Sequence, residues 1–461
     1  MAFRKLSSGL ALACFFLAGT VLAEPFPSTY EALPSAPLLI ENATILTGTG
    51  ARIDKGSVLI NNGKIEFVGD NSPEFDANTT VIDAEGRWIT PGLIDVHSHL
   101  GVYASPGVKA HSDGNEATAP VTAEVWAEHS VWPQDPGFSR ALAGGVTTLQ
   151  TLPGSANLIG GRGVTLKNVP AISYQDMKFP GAPHGLKMAC GENPKRVYGD
   201  KGRSPSTRMG NVAGYRAQWI EAQKYRDDWQ AWEAKKGSKK SDKNGDAKPP
   251  ERDLRLETLA AVLEGEILVH MHCYRADEMM TILDMADEFG YRVSAFHHGV
   301  EAYKIADKLA ESGVCGALWA DWWGFKAEAY DGIMENIALV DRPEGGCAIV
   351  HSDSAEGIQR LNQEAAKAMS RGNRAGMEIT AEHAIRWITA NPAQSMGILE
   401  ETGTLEPGKM ADLVIWNGNP FSVYAQADQV FVDGALLYDR QDPARQPVSD
   451  FELGQQLETA K

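Results

Sequence analysis

Cysteine is scarce, five in 461 residues. Cys14 lies in an N-terminal apolar stretch, and Cys190, Cys273, Cys315 and Cys347 are too scattered for the disulfide framework of a small secreted domain. Each is expected to pack as a small apolar residue near a strand end. Net positive charge is also lacking: 43 Lys and Arg stand against 60 Asp and Glu, a formal charge of −17. Such a surface repels phosphate backbones and anionic membranes, which argues against nucleic acid as a partner. Beyond the N-terminus no stretch reaches the roughly 18 consecutive apolar residues of a membrane span. There is no internal repeat. The glycine-rich PGSANLIGGRG, 153–163, lacks the Lys-Ser or Lys-Thr ending and the helix start of a phosphate-binding loop.

What is present is ordinary globular composition, 43% hydrophobic and 22% charged, in a chain long enough for one large domain and a smaller one. MAFRKLSSGLALACFFLAGTVLAEP pairs a basic start (Arg4, Lys5) with an apolar stretch and Val-Leu-Ala before Glu24. This is the layout of a signal peptide, residues 1–23, cut after Ala23, so export to a periplasm or the medium is expected. Residues 37–90 read as short strands with turns, including Asn61-Asn62-Gly63, and the same texture returns in 401–440. These two end pieces are expected to form one composite β-sandwich.

Between them, over 91–400, apolar runs alternate with amphipathic helices such as ADEMMTILDMADEFG and EAYKIADKLAESG. The runs are LIDVHSHL, GVTTLQTLP, GVTLKNV, GLKMACGE, EILVHMHC, RVSAFHHG, GVCGALW and GCAIVHSD. Eight strands, mostly followed by helices, predict an α/β fold, a parallel (β/α)8 TIM barrel whose active site lies at the carboxyl ends of the strands. Residues 221–256 interrupt the pattern as a charged, solvated insertion with acids mixed among its lysines.

Histidines collect at these strand ends: His97 and His99 after the first, His270 and His272 after the fifth, His297 and His298 after the sixth, with Asp353 after the eighth. Residues two apart on a strand share a face, so His97 and His99 can grip one ion. A single buried histidine is usually a hydrogen-bonded core residue, but their joint placement at one mouth points to a metal site. A second ion would need a bridging anion, for which the fourth strand offers Glu192, or Lys187 if carboxylated.

ITPGLIDVHSHLG, AGGVTTLQTLPG, VHSDS and NPAQSMGILEETGTLEPGKMADLVIW together resemble the amidohydrolase superfamily of metal-dependent hydrolases, especially its imidazolonepropionase-like and prolidase-like members. The resemblance runs over roughly residues 37–440. It implies one or two divalent ions per subunit, zinc being the expected metal, held by His97, His99, His272, His298 and Asp353. Glu192 is the preferred bridge and Lys187 the alternative. Asp353, with His298 beside it, would handle the protons of catalysis.

The implied reaction is hydrolysis of an amide C–N bond in a dipeptide-like or N-acyl amino acid substrate. A deaminase or a cyclic amide or lactone hydrolase would use the same layout. A non-catalytic metal-holding protein is the rival of another class, and Asp353 argues against it. Tyr274 and Arg275 are candidate substrate contacts, Arg275 for a carboxylate unless it pairs with Asp277 or Glu278. Trp319, Trp322 and Trp323, which follow the seventh strand, offer flat apolar surface suited to a pocket wall or to core packing. Residues 153–163 are expected to form a mobile loop over the site, with Arg162 touching substrate. The partner is a small molecule, and a homo-oligomer is compatible with everything above.

Overall fold

The structure, a computed structural model, describes residues 26–237, 248–322 and 324–447. The expected signal peptide, the centre of the charged insertion and Trp323 lie outside the described residues.

From the N-terminal side come β1 (Leu38–Leu46), β2 (Arg52–Asn61), β3 (Lys64–Gly69), β4 (Thr80–Asp83) and β5 (Trp88–Pro91). The β2–β3 connection is the anticipated Asn-Gly turn: Asn62 and Gly63 both have positive φ, 49° and 74°, as a turn matched to strand twist requires. The chain then enters β6 (Leu93–Ser98), α1 (Pro136–Ala143), β7 (Val146–Thr151), β8 (Ile159–Lys167) and β9 (Gly185–Ala189). Next come α2 (Glu192–Gly199), α3 (Arg208–Gly237), α4 (Leu254–Leu263), β10 (Leu268–Cys273), α5 (Ala276–Phe289) and β11 (Val293–His298). The last turn of the pattern is α6 (Ala306–Glu311), β12 (Cys315–Leu318), α7 (Asn336–Asp341), β13 (Ala348–Val350) and α8 (Leu361–Arg374). Three closing strands follow, β14 (Leu413–Trp416), β15 (Ala427–Val432) and β16 (Ala435–Asp439).

Strands β6 to β13 form one eight-stranded sheet in sequence order. It is nearly closed into a barrel: past the end of β13, the Asp353 N–H donates to the His97 carbonyl at 3.1 Å and the Ser352 N–H to Asp95 at 3.2 Å. One strand departs from the all-parallel expectation. β8 is antiparallel to both β7 and β9, because it returns from β7 through residues 152–158 alone, with no crossover helix to reverse the chain. Residues 159–163, expected in a mobile loop, are therefore the start of this strand.

Helix α5 illustrates how the outer layer is specified. Met279, Ile282, Met285, Ala286 and Phe289 recur at helical spacing and are buried, each large side chain contributing about 1.5–3 kcal/mol. Gly290, at φ 76°, ends the helix in the left-handed conformation that suits glycine. The charged insertion begins inside α3, whose Trp219 stacks on Tyr291 at 4.4 Å; the helix is anchored there, and its later turns are largely exposed.

The chain ends meet in a second sheet ordered β16-β15-β14-β5-β1-β2-β3, with β4 on β1, around its own apolar cluster that includes Ile40, Ile45, Ile60, Ile89, Leu413 and Phe431. Lys167, closing β8, joins the two sheets: its ammonium lies 3.1 Å from Asp412 and 2.9 Å from Asp433, all buried. The cysteines correct the sequence reading. Instead of packing singly they pair, Cys190 with Cys273 and Cys315 with Cys347. Neighbouring parallel strands bring each pair together, at the carboxyl ends of β9 and β10 and the amino ends of β12 and β13, with Cα atoms 5.2 and 4.6 Å apart.

Candidate metal centre

The mouth of the barrel-like sheet is where the strand-end histidines meet. His97 and His99 share a face of β6 and its extension. Asp353 Oδ1 lies 3.1 Å from His99 Nε2 and 3.5 Å from His97 Nε2, and its Oδ2 is 3.9 Å from His298 Nδ1. Single ligand atoms of His97, His99 and Asp353 fall within 4.8 Å of one another, as do those of His97, His298 and His351. His272 joins through its ring, 4.7 Å from that of His298.

Two of these residues hold unusual backbone. His298 has φ 73° and Asp353 φ 49°, left-handed values that cost a non-glycine residue about 1–3 kcal/mol. The turn at each strand end that aims these side chains into the mouth is bought with that strain. Asp95 adds a strap: one carboxylate oxygen accepts from the His97 and Ser352 N–H groups at 3.1 and 3.2 Å, and the other from the Ser352 hydroxyl. Burial raises the Asp95 pKa to about 7 against these lowering hydrogen bonds.

Burial is also the first cause that depresses the imidazoles: His270 and His351 fall to about 3, and His97, His272, His297 and His298 fall well below their ordinary value. They are neutral at pH 7, the form that binds metal. Burial pushes the Asp353 carboxyl up, but its bond to His99 and the charges of His99, His351 and Lys187 hold it below the usual value. Beneath the ligands runs a chain of rings: His97 Nδ1 is 2.8 Å from His297 Nδ1, and His297 Nε2 is 2.9 Å from His270 Nδ1. His99 Nδ1 meets the Leu152 carbonyl at 2.8 Å. Such contacts fix a ligand ring's tautomer and leave its other nitrogen for the ion.

The residues fit a divalent cation. The ring nitrogens His298 Nδ1, His272 Nδ1 and both of His351 are buried without hydrogen-bond partners, an expensive state for polar atoms that coordination would relieve. His351 escaped the sequence reading. Its signal was the His-x-Asp period within VHSDS, the same two-residue spacing as His97 and His99.

The two bridge candidates separate. Lys187, wholly buried in β9, has its Nζ 3.3 Å from His97 Nε2, and burial lowers its pKa to about 8. Glu192 opens α2 outside this cluster, with its side chain 3.8 Å from the Lys326 ammonium. The geometry thus reverses the preference for Glu192, because the strand has ended by residue 189 and the chain turns away at Gly191, φ 76°.

Among substrate candidates, Tyr274 and Trp319 reach the mouth. The Trp319 ring stacks on His298 at 4.3 Å and the Tyr274 ring lies 4.7 Å from His272. Trp322 packs on Trp319 at 5.5 Å and is exposed. Arg275 does not reach it: both of its bonds go to Asp277 at 2.9 Å. Arg162 is turned to the flank by β8, its guanidinium 4.1 Å over the Trp126 ring and 2.9 Å from the Thr258 hydroxyl.

A nearly closed α/β barrel-like sheet with neutral imidazoles and a carboxylate at its mouth is the architecture of a metal-assisted hydrolase. A family model described as "Amidohydrolase family" matches residues 349–438. The solved structure of an amidohydrolase from Thermotoga maritima MSB8 is 36% identical, covering 87% of this chain and 100% of that one, with a TM-score of 0.79. Amidohydrolase tasK of Hapsidospora irregularis is 33% identical over 438 residues, 87% of this chain and 43% of that protein, so the chain spans less than half of that relative's length. Imidazolonepropionase of Mesorhizobium japonicum is 24% identical over 384 residues, 79% of this chain and 87% of that protein. By its 36% identity to the Thermotoga maritima amidohydrolase over the whole of that structure, the chain belongs to the amidohydrolase family.

Proposed function

We propose that the protein hydrolyses an amide C–N bond in a dipeptide-like or N-acyl amino acid substrate, with Asp353 as the proton-handling group. The observation that carries this reading is a pair of trios at the mouth, His97 with His99 and Asp353 and His97 with His298 and His351, each with ligand atoms within 4.8 Å of one another. In this reading His97, His99, His272, His298 and Asp353 hold the metal, and Lys187 is the bridge once carboxylated. Its amine is brought near neutrality by burial, so it can add carbon dioxide and release a proton, leaving a carbamate facing His97. The second carboxylate this creates suits a pair of ions, and zinc is the proposed metal on ligand chemistry.

A bound divalent ion supplies Lewis acidity, lowering the pKa of a water from 15.7 toward about 7 and polarising a carbonyl. The remaining work falls to side chains. Asp353, fixed by its backbone bond to His97 and by His99, is a carboxylate at pH 7, takes a proton from the attacking water and returns it to the leaving nitrogen. His298, with Trp319 stacked on it, keeps one wall of the mouth fixed. Sheet β6–β13, about residues 91–400, is the hydrolase barrel of this reading, and the sheet built from 37–90 and 401–440 is its sandwich-like companion. Export after removal of residues 1–23 is part of the proposal, supported by the pairing of all four remaining cysteines.

A second reading, opening of a cyclic amide, is favoured by the similarity to imidazolonepropionase. The test is a library of dipeptides, N-acyl amino acids, cyclic amides and aminopurines, assayed with protein of measured metal content. Release of a free amino acid supports the first reading, ring opening with one product the second, and ammonia a deaminase. No turnover of any class sinks the proposal.

A further inference from the structure

Arg275, the expected grip for a substrate carboxylate, is paired with Asp277 outside the mouth. A different cation stands at the mouth. Lys326 reaches in from the segment after β12, its side chain only 19% exposed. Its ammonium donates to Asn193 Oδ1 at 3.0 Å and lies 4.4 Å over the Tyr274 ring. Asn193 Nδ2 in turn lies 3.3 Å from His272 Nε2 and 2.9 Å from the Ser155 hydroxyl. One amide group therefore separates the ammonium from the histidine cluster.

The segment carrying Lys326 is fastened in place. Glu328 accepts the Glu192 N–H at 3.0 Å and is paired with Arg208, which ties this loop to the start of α2. Phe325 and Trp319, with rings 5.6 Å apart, stand beside Tyr274 as an apolar wall.

The ammonium's own accounting is incomplete. It has three N–H donors, and one is used on Asn193. The nearest carboxylate, Glu192, is 3.8 Å away, beyond hydrogen-bond distance. A half-buried cation with donors to spare, next to a candidate reaction centre and an aromatic wall, is built for an anion that arrives with the substrate.

We propose that Lys326, presented by Asn193 and Tyr274, is a carboxylate-binding subsite that selects amides bearing a free carboxylate next to the scissile nitrogen. This rests on the amide-hydrolase reading above and assigns the residue that holds the carboxylate of its amino acid leaving group. Glu192 competes with the substrate for the same ammonium, so it weakens binding of the anionic substrate.

The experiment compares N-acetyl amino acids with their carboxamides, using full-length, metal-loaded protein. Wild type is expected to prefer the carboxylate series, and Lys326→Met to reduce that preference by about tenfold to a hundredfold, the range of a lost charge-assisted bond, mainly through KM. Glu192→Gln is expected to lower KM for the carboxylate series. Lys308→Met, on the exposed surface, should alter neither series. Equal losses on both series in Lys326→Met, or no wild-type preference, overturns the subsite while leaving amide hydrolysis standing. If neither series is hydrolysed, the amide-hydrolase reading fails, and equilibrium binding of N-acetyl-L-phenylalanine, read by tryptophan fluorescence, still decides the subsite: weaker binding in Lys326→Met supports it and unchanged binding overturns it.

Discussion

At the floor of the barrel-like sheet, Lys167 sits fully buried between Asp412 and Asp433, while Lys187, equally buried in β9, faces His97 and, among the described residues, has no carboxylate within ion-pair distance. Both lysines left water, but Lys167 has two carboxylates in contact whereas Lys187 feels Asp353 only at a distance. At the floor the pairs offset the desolvation of the cation and bind the two sheets together, with Tyr30 closing the cluster on Asp433. At the mouth the cost is left standing and appears as a pKa lowered to about 8. If Lys187 is the proposed bridge, the difference separates a buried charge kept for architecture from one kept for chemistry. The disulfides repeat the contrast: Cys315–Cys347 staples the floor ends of β12 and β13, whereas Cys190–Cys273 ties the strand ends that carry Lys187 and His272.

The largest expected effect tests the mouth alone. Asp353→Asn should lower kcat by about 10²–10⁴, the range of a lost general acid–base, with metal content unchanged by elemental analysis. The comparison itself would break if the two lysines behaved alike. Lys167→Met is expected to strand Asp412 and Asp433 and destabilise the protein by about 3–5 kcal/mol in denaturant melts, with activity per folded molecule retained. Lys187→Met should instead cost about a hundredfold or more in metal affinity or turnover, with no comparable loss of stability.

A pH series sharpens the point. Since Lys187 titrates near 8 when folded and near 10.5 when unfolded, the unfolded chain binds more protons between those values, and stability rises with pH there. The penalty is full below about pH 8 and fades toward 10.5. Metal-free wild type in carbon-dioxide-free buffer should therefore gain stability relative to Lys187→Met across that window, and a flat difference would contradict it. The smallest effects belong to the cysteines. Replacing either pair by alanine should cost a few kcal/mol, about 2–4, but only loss of Cys190–Cys273 should also alter KM or metal affinity.

Much of this was legible beforehand for definite reasons. Strand-end histidines announce themselves by two-residue spacing, and α5 by its helical stripe of apolar residues. His351 follows the same spacing, but within VHSDS the strand-end aspartate is the more conspicuous candidate. The direction of β8 was not legible, since a buried strand has the same composition whichever way it runs and only the shortness of residues 152–158 hints at a hairpin. Nor were the disulfides: residues 83 and 32 apart in sequence become neighbours through strand order alone.

By itself the sequence determined which side chains could carry metal chemistry, because ligand type and strand or helix periodicity are local properties of the chain. Tertiary structure decided which of them share a centre, giving Lys187 rather than Glu192 to the histidines, Lys326 rather than Arg275 to the mouth, and contacting carboxylates to Lys167 but not to Lys187. Those choices are distances between remote segments, and the energy of a charge depends on what the fold sets beside it.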